Sequence, residues 1–197
     1  MSKTIGCLVA VLGVAVILVL WGAGQYNGLV TSQENVNTAW AQVQNVYQRR
    51  MDLVPNLVAT VKGAAAFERE TYTAVAEARS QAGKITISPE LLNDPQAFAR
   101  FEQTQGQLSS ALSRLLAVVE NYPQLKANQN FLDLQSQLEG TENRIAVERR
   151  RFNEAAQEYN TRRRKFPTVL IAGILGFQER PYFRGAEGAE RAPEVKF

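Results

Sequence analysis

Few side chains in this chain are suited to chemistry, and those that stand out are charges set into otherwise apolar faces. The chain has no histidine and a single cysteine, Cys7. The commonest general base and metal ligand is therefore missing, and the only thiol sits in an apolar run. Ser-Lys or paired-carboxylate chemistry is compatible with the composition, but no acidic pair has a distinctive context, and zinc signatures and P-loops are absent. The chain reads as a non-enzyme that takes no cofactor and holds no metal.

What remains is a set of seam charges. Phe131, Leu134, Leu138, Thr141, Ile145, Glu148, Phe152, Ala155 and Tyr159 alternate at three and four residues, the spacing that lines up one packed face of a helix. Thr141 and Glu148 interrupt that face. A carboxylate turned inward is costly unless a cation or several donors meet it. A partner is expected on another helix, and Arg50 occupies a seam position there. Glu142 lies beside Thr141, so Arg50, Glu142 and Glu148 form a candidate buried polar network. It reads either as an ion pair that fixes helix register or as a partner-binding or switching centre.

A second set lies near the carboxyl end. Arg162, Arg163, Arg164 and Lys165 run directly into the apolar stretch 166–177, which contains Ile171, Leu175 and Phe177. A basic run abutting an apolar segment suits a membrane-interface or subunit contact. The same segment could also fold back as core. Its length is too short for a span, and Gly173 and Gly176 are small enough to permit close approach.

These side chains need elements to position them. Residues 5–21 carry no charge and the apolar run continues to Gly24, which reaches the ~20 residues of a transmembrane helix. A cleaved signal peptide would have a shorter apolar core. Lys3 precedes the run, whereas the first basic residue after it is Arg49. That asymmetry puts the amino terminus in the cytoplasm and the rest outside it. Thr31 and Glu34 have the spacing of a capping box. After them Val36, Trp40, Val43, Tyr47, Arg50, Val54, Leu57, Val61 and Ala64 keep one face across Pro55, which predicts a continuous, kinked helix as far as Gly83. Asp94 and Pro95 start the next helix, with Phe98, Phe101, Gln105, Leu108, Leu112, Leu115, Val119 and Tyr122 on its face. Pro123 ends it.

The pattern predicts an all-α chain, a transmembrane helix followed by an elongated antiparallel bundle of three long helices. The boundaries are residues 1–25 for the anchor, 26–165 for the bundle, 166–183 for the apolar contact segment and 184–197 for a disordered tail.

Several motifs also resemble a known family. YP-x-LKAN-x-x-F-x-x-L beginning at Tyr122, TENRIA at residues 141–146 and R-x-x-x-N-x-x-x-x-x-YN from Arg149 to Asn160 are similar to the LemA family of bacterial membrane-anchored proteins. Upstream, YNGLV, AWAQV, RRMDLVPNLVATVKG and VAEAR stand in the family's order, as does the late GF-x-x-x-x-YF of Gly176, Phe177, Tyr182 and Phe183. The resemblance spans residues 26–183 and implies one membrane span with an all-helical domain, without implying a reaction. Residues 64–67 depart from it, because an aromatic and a histidine are expected after VKG.

Net charge is only +3 in 197 residues, and no aromatic-basic platform is present, so nucleic acid is not expected as a partner. The expected role is a membrane-anchored scaffold at the bacterial inner membrane that self-associates, contacts lipid and can engage another membrane protein. An adaptor or sensor subunit for a membrane enzyme such as a protease is the alternative.

Overall fold

The computed structural model describes residues 2–63 and 68–185, in which the regular elements are all helices and no strand occurs. Helix α1 is unbroken from Ser2 to Lys62, 61 residues and roughly 90 Å at the helical rise. Its first part exposes its large apolar side chains all round, from Ile5 to Trp21, and is long and apolar enough to cross a membrane. From Leu29 onward the same helix buries one face through Ser32, Val36, Trp40, Val43, Tyr47, Arg50, Val54, Leu57 and Val61. No helix starts at Thr31. Its hydroxyl donates to the Asn27 carbonyl at 2.9 Å, as serine and threonine do inside helices. A capping side chain has nothing to satisfy where the preceding turn is already helical and supplies the carbonyls.

α1 also continues through Pro55. Proline has no N–H, so the Met51 carbonyl four residues earlier loses its helical partner. The Arg79 Nε takes that place, donating to the Met51 carbonyl at 3.1 Å. Arg79 belongs to α2, Arg69–Gly83, whose end lies beside Met51 and which therefore runs antiparallel to α1. The single helix expected up to Gly83 is thus two helices. The reversal comes after Lys62, where Gly63 and the undescribed residues 64–67 intervene. The departure noted at 64–67 lies outside the described residues.

Asp94 caps α3, Pro95–Val119, by accepting from the backbone N–H groups of Gln96 and Ala97 at 2.9 and 3.0 Å. The expected face is buried from Phe98 to Val119, and Tyr122 falls outside the helix. A short α4, Pro123–Lys126, leads to α5, Gln129–Arg164, whose first turn is capped by Asn128. α1 pairs mainly with α5 and α2 with α3, an up-down-up-down bundle. α6, Thr168–Ile174, turns back beside both α1 and α5.

The buried face of α5 is Phe131, Leu138, Thr141, Ile145, Phe152, Ala156, Tyr159 and Asn160. Ala156 replaces the expected Ala155. A strict alternation of three and four lags a straight helix by about 20° per heptad, so late in α5 the inward position slips one residue forward.

Two hydrophobic clusters fill the bundle. The one nearer the span gathers Trp40, Phe98, Phe101, Phe152 and Phe183, with ring centroids 4.9 Å apart for Phe98 and Phe183 and 5.4 Å for Trp40 and Phe152. The farther one holds Val54, Leu57, Val61, Val75, Leu108, Leu115 and Phe131. Phe183 corrects the expected boundary at 165: the chain after α6 folds back and completes the nearer core. The predicted tail lies, from residue 186 on, outside the described residues.

The Pro55 and Arg79 arrangement makes a specific expectation. Arg79→Met should destabilise the protein by about 1.5 to 3 kcal/mol, the range for hydrogen bonds involving a charged group. In a Pro55→Ala background, where residue 55 can serve Met51 itself, the loss should shrink to a few tenths of a kcal/mol. Denaturant unfolding of the four variants checks this, and equal losses in both backgrounds would refute the compensation.

Candidate functional site

Arg50 sits on the inward face of α1 between Tyr47 and Val54, with only 1% of its surface exposed. The helical spacing that buries its neighbours buries it too, so its guanidinium must find acceptors inside the bundle. Its Nη1 donates to Glu142 Oε1 at 2.9 Å and to Ser109 Oγ at 2.7 Å. Its Nη2 donates to Gln105 Oε1 and, at 3.4 Å, to the Gln105 carbonyl. The guanidinium carbon lies 4.9 Å from the Tyr47 ring centroid, within reach of a cation–π contact. Three helices therefore meet on one cation. Because Gln105 follows Phe101 and precedes Leu108, and Glu142 lies between Leu138 and Ile145, this polar layer separates the two apolar clusters.

The layer is asymmetric. Arg50 is sealed in, whereas the Glu142 side chain is 37% exposed and its charge is partly screened by solvent. Arg50 Nε and Gln105 Nε2 have no partner, so the layer is not fully satisfied. Burial is also the first reason that the Tyr47 phenol is held above its usual value, with Arg149 and Arg50 pulling the other way. A raised folded value means that stability is present below the ordinary phenol range near pH 10 and is lost as pH rises through the folded value.

Glu148 is not part of this layer. It pairs with Arg151 on its own helix at 2.8 Å, and it lies six residues, roughly 9 Å, further along α5 than Glu142, below the level of Arg50. Arg149 next to it reaches across to Glu102 at 2.6 Å and to the Arg184 carbonyl at 2.8 Å.

At the membrane end the basic run is distributed rather than pooled. Arg162 lies over Gly28, in the space a β-carbon would fill, and donates to Ser32 Oγ at 3.2 Å. Only a glycine lets the guanidinium lie so close to α1. Arg163 Nε donates to the Phe177 carbonyl at 2.7 Å, and Arg164 Nε to the Asn160 carbonyl at 3.3 Å. Lys165 is exposed and lines a groove of about 680 Å³ with Gln25, Glu158 and Phe166.

α6 is pinned by Thr168, whose hydroxyl donates to Gln25 Oε1 at 2.9 Å. Thr168 and Ala172 face inward, while Phe166, Leu170, Ile174 and Leu175 are exposed, Ile174 by 83%. Of the three apolar residues expected in the contact, Leu175 faces solvent, Ile171 is half-buried and Phe177 packs on the core beside Tyr26, ring centroids 5.9 Å apart. The segment 166–183 thus divides into an exposed face and a buried return. Gly173 and Gly176 have open space where a β-carbon would stand, so neither makes the close approach expected of it. Gly176 instead takes φ +73° and ends α6, with the Phe177 N–H donating to the Ala172 carbonyl at 3.0 Å, the closure of a Schellman turn.

The charge-based reading missed Asn153 and Asn160. Each clamps one residue of the return by two bonds. Asn160 donates to the Arg180 carbonyl at 2.8 Å and accepts its N–H at 2.9 Å. Asn153 does the same for Phe183, both bonds at 2.9 Å. The two asparagines are roughly 10 Å apart along the helix, about the reach of three extended residues. Their signal was the paired Asn within the R-x-x-x-N-x-x-x-x-x-YN motif.

Removing either side of the central pair tests the layer. Glu142→Gln and Arg50→Met should each destabilise, by about 1 to 3 kcal/mol after allowance for the exposure of Glu142. A double-mutant cycle between them should show coupling of at least ~0.5 kcal/mol, whereas Arg50 with Glu148 should show none. Chemical denaturation of the set checks both, and coupling to Glu148 alone would place the pair wrongly.

Comparison with known proteins agrees with this architecture. The model of the LemA family matches residues 39–197. Magnetosome protein MamQ of Magnetospirillum gryphiswaldense is 30% identical over 175 residues, covering 81% of this chain and 64% of the relative. Magnetosome protein MamQ 2 of Paramagnetospirillum magneticum is 30% identical over 176 residues, covering 81% and 65%. This chain therefore spans just under two thirds of the length of those relatives. Protein LemA of Metamycoplasma hominis is 24% identical over 164 residues, 83% of this chain and 71% of the relative. With the family's match extending over most of the bundle and the apolar helix leading into it, the chain belongs to the LemA family and has the architecture of a membrane-associated, single-span member.

Proposed function

We propose that the protein is a non-enzymatic scaffold anchored in the inner membrane, with its bundle on the outer side of that membrane and several copies forming one assembly. The observation that carries this reading is the continuity of α1. The span and the central helix of the bundle are one element, so no linker intervenes and the bundle stands at a fixed attitude to the bilayer. A rod held upright suits repeated lateral packing better than reaching for distant clients. Lys3 before the span, with Arg49 the first basic residue after it, supports an outward-facing bundle.

α6 adds a lipid contact. The Thr168 to Gln25 bond ties it to the first turn beyond the span. Its Leu170 and Ile174 are exposed, and the exposed Lys165 precedes it in sequence, a basic and apolar combination suited to a membrane interface. The bilayer that holds α1 is then also what covers α6.

Mass measurement of the full chain in mild detergent tests the assembly. One closed species of several subunits is expected, and a monomer at all concentrations would favour the adaptor reading. The lipid contact has its own test. Leu170→Asp with Ile174→Asp should lower lipid protection of α6 in hydrogen exchange on nanodiscs while leaving helical circular dichroism within a few per cent. Unchanged protection would remove α6 from the membrane.

A further inference from the structure

Among the described residues Arg180 is the second buried guanidinium, at 7% exposure, and its surroundings differ from those of Arg50. Among the described residues no carboxylate pairs with it. Its Nη1 donates to the Asn93 side-chain carbonyl, its carbon lies 5.9 Å from the Tyr159 ring centroid, and its Nε has no partner at all. The neighbouring acid, Glu179, is directed to Arg163 at 3.8 Å. A buried cation met only by neutral groups is costly unless an anion completes it.

Space for that anion is present. Arg180 lines a pocket of about 390 Å³ together with Gln33, Asn93, Gln178 and Gly176. Gln33 and Gln178 bring amides that can donate as well as accept. Asn160 fixes the Arg180 backbone by two bonds and the Schellman turn at Gly176 sets the path into it, so the guanidinium is held in place before any ligand arrives. A planar fork of donors held in this way matches the geometry of an oxyanion.

We propose that this pocket binds a phosphate group through Arg180, with Gln33 and Gln178 as supporting donors. The Phe177 that lines it packs against Tyr26, just beyond the span. Either a free phosphate or the phosphate of a lipid headgroup can therefore reach it. The proposal does not depend on the scaffold reading, since it concerns one subunit.

The test uses the full chain in detergent micelles and phosphate-free buffer, titrated with inorganic phosphate and, in a second arm, with short-chain phosphatidic acid. Calorimetry gives affinity and thermal unfolding gives the shift on binding. The wild-type chain should bind saturably and unfold at a higher temperature when loaded. Arg180→Gln should bind at least tenfold more weakly and show no ligand-induced shift from its own unliganded unfolding temperature. Gln178→Ala, which removes no buried charge, should weaken binding severalfold and serves if Arg180→Gln does not fold. Tighter binding of phosphatidic acid than of phosphate identifies a headgroup site, and equal affinity identifies a free anion. Absence of binding in both arms, or binding that neither substitution changes, overturns the proposal.

Discussion

The guanidinium of Arg50 is the constraint to which the bundle is fitted. Apolar faces can slide along one another with little change in burial, whereas a buried cation accepts only the register that brings oxygen atoms to it. Glu142, Ser109 and Gln105 come from two different helices and converge on that one group. They set the height of α3 and α5 against α1, and with it which aromatic rings meet below the layer and which aliphatic side chains meet above. The gain lies in specificity more than in stability, because the glutamate keeps contact with solvent and two donors of the layer stay unbonded.

From that layer downward the structure concerns the membrane. α1 carries the span into the core without a joint, and the lower core is built around its Trp40, whose indole N–H donates to the Ser88 carbonyl at 3.1 Å. The chain after α6 completes the same core through Phe183, clamped by Asn153. Burial of the return also orients α6, whose inward residues are small and whose outward ones are large and apolar.

Pro55 shows how a local defect is absorbed by tertiary structure. The proline leaves one carbonyl free in the middle of a long helix, and α2 brings Arg79 to it. An exposed helix would leave that carbonyl to water. Here it becomes a point of attachment between two antiparallel helices.

Local chemistry by itself determined the span, the buried face of α1 from Val36 to Val61 and the start of α3 at Asp94 and Pro95, because each depends on periodicity or on backbone rules that act within a few residues; it placed the end of α3 at Tyr122, three residues beyond Val119 where the helix stops. It also put Arg50 on an inward face and named Glu142 among its partners. It did not choose Glu142 over Glu148, since the height at which α5 packs against α1 decides which carboxylate is level with Arg50, and the two lie roughly 9 Å apart along the helix. It suggested a cap at Thr31, where the upstream turn was already helical, and one helix to Gly83, where the chain instead reverses after Lys62. The return of Phe183 to the core and the isolation of Arg180 were decided by tertiary structure alone. A residue's burial and the identity of its neighbours are set by segments far away in sequence, and no spacing within one helix encodes them.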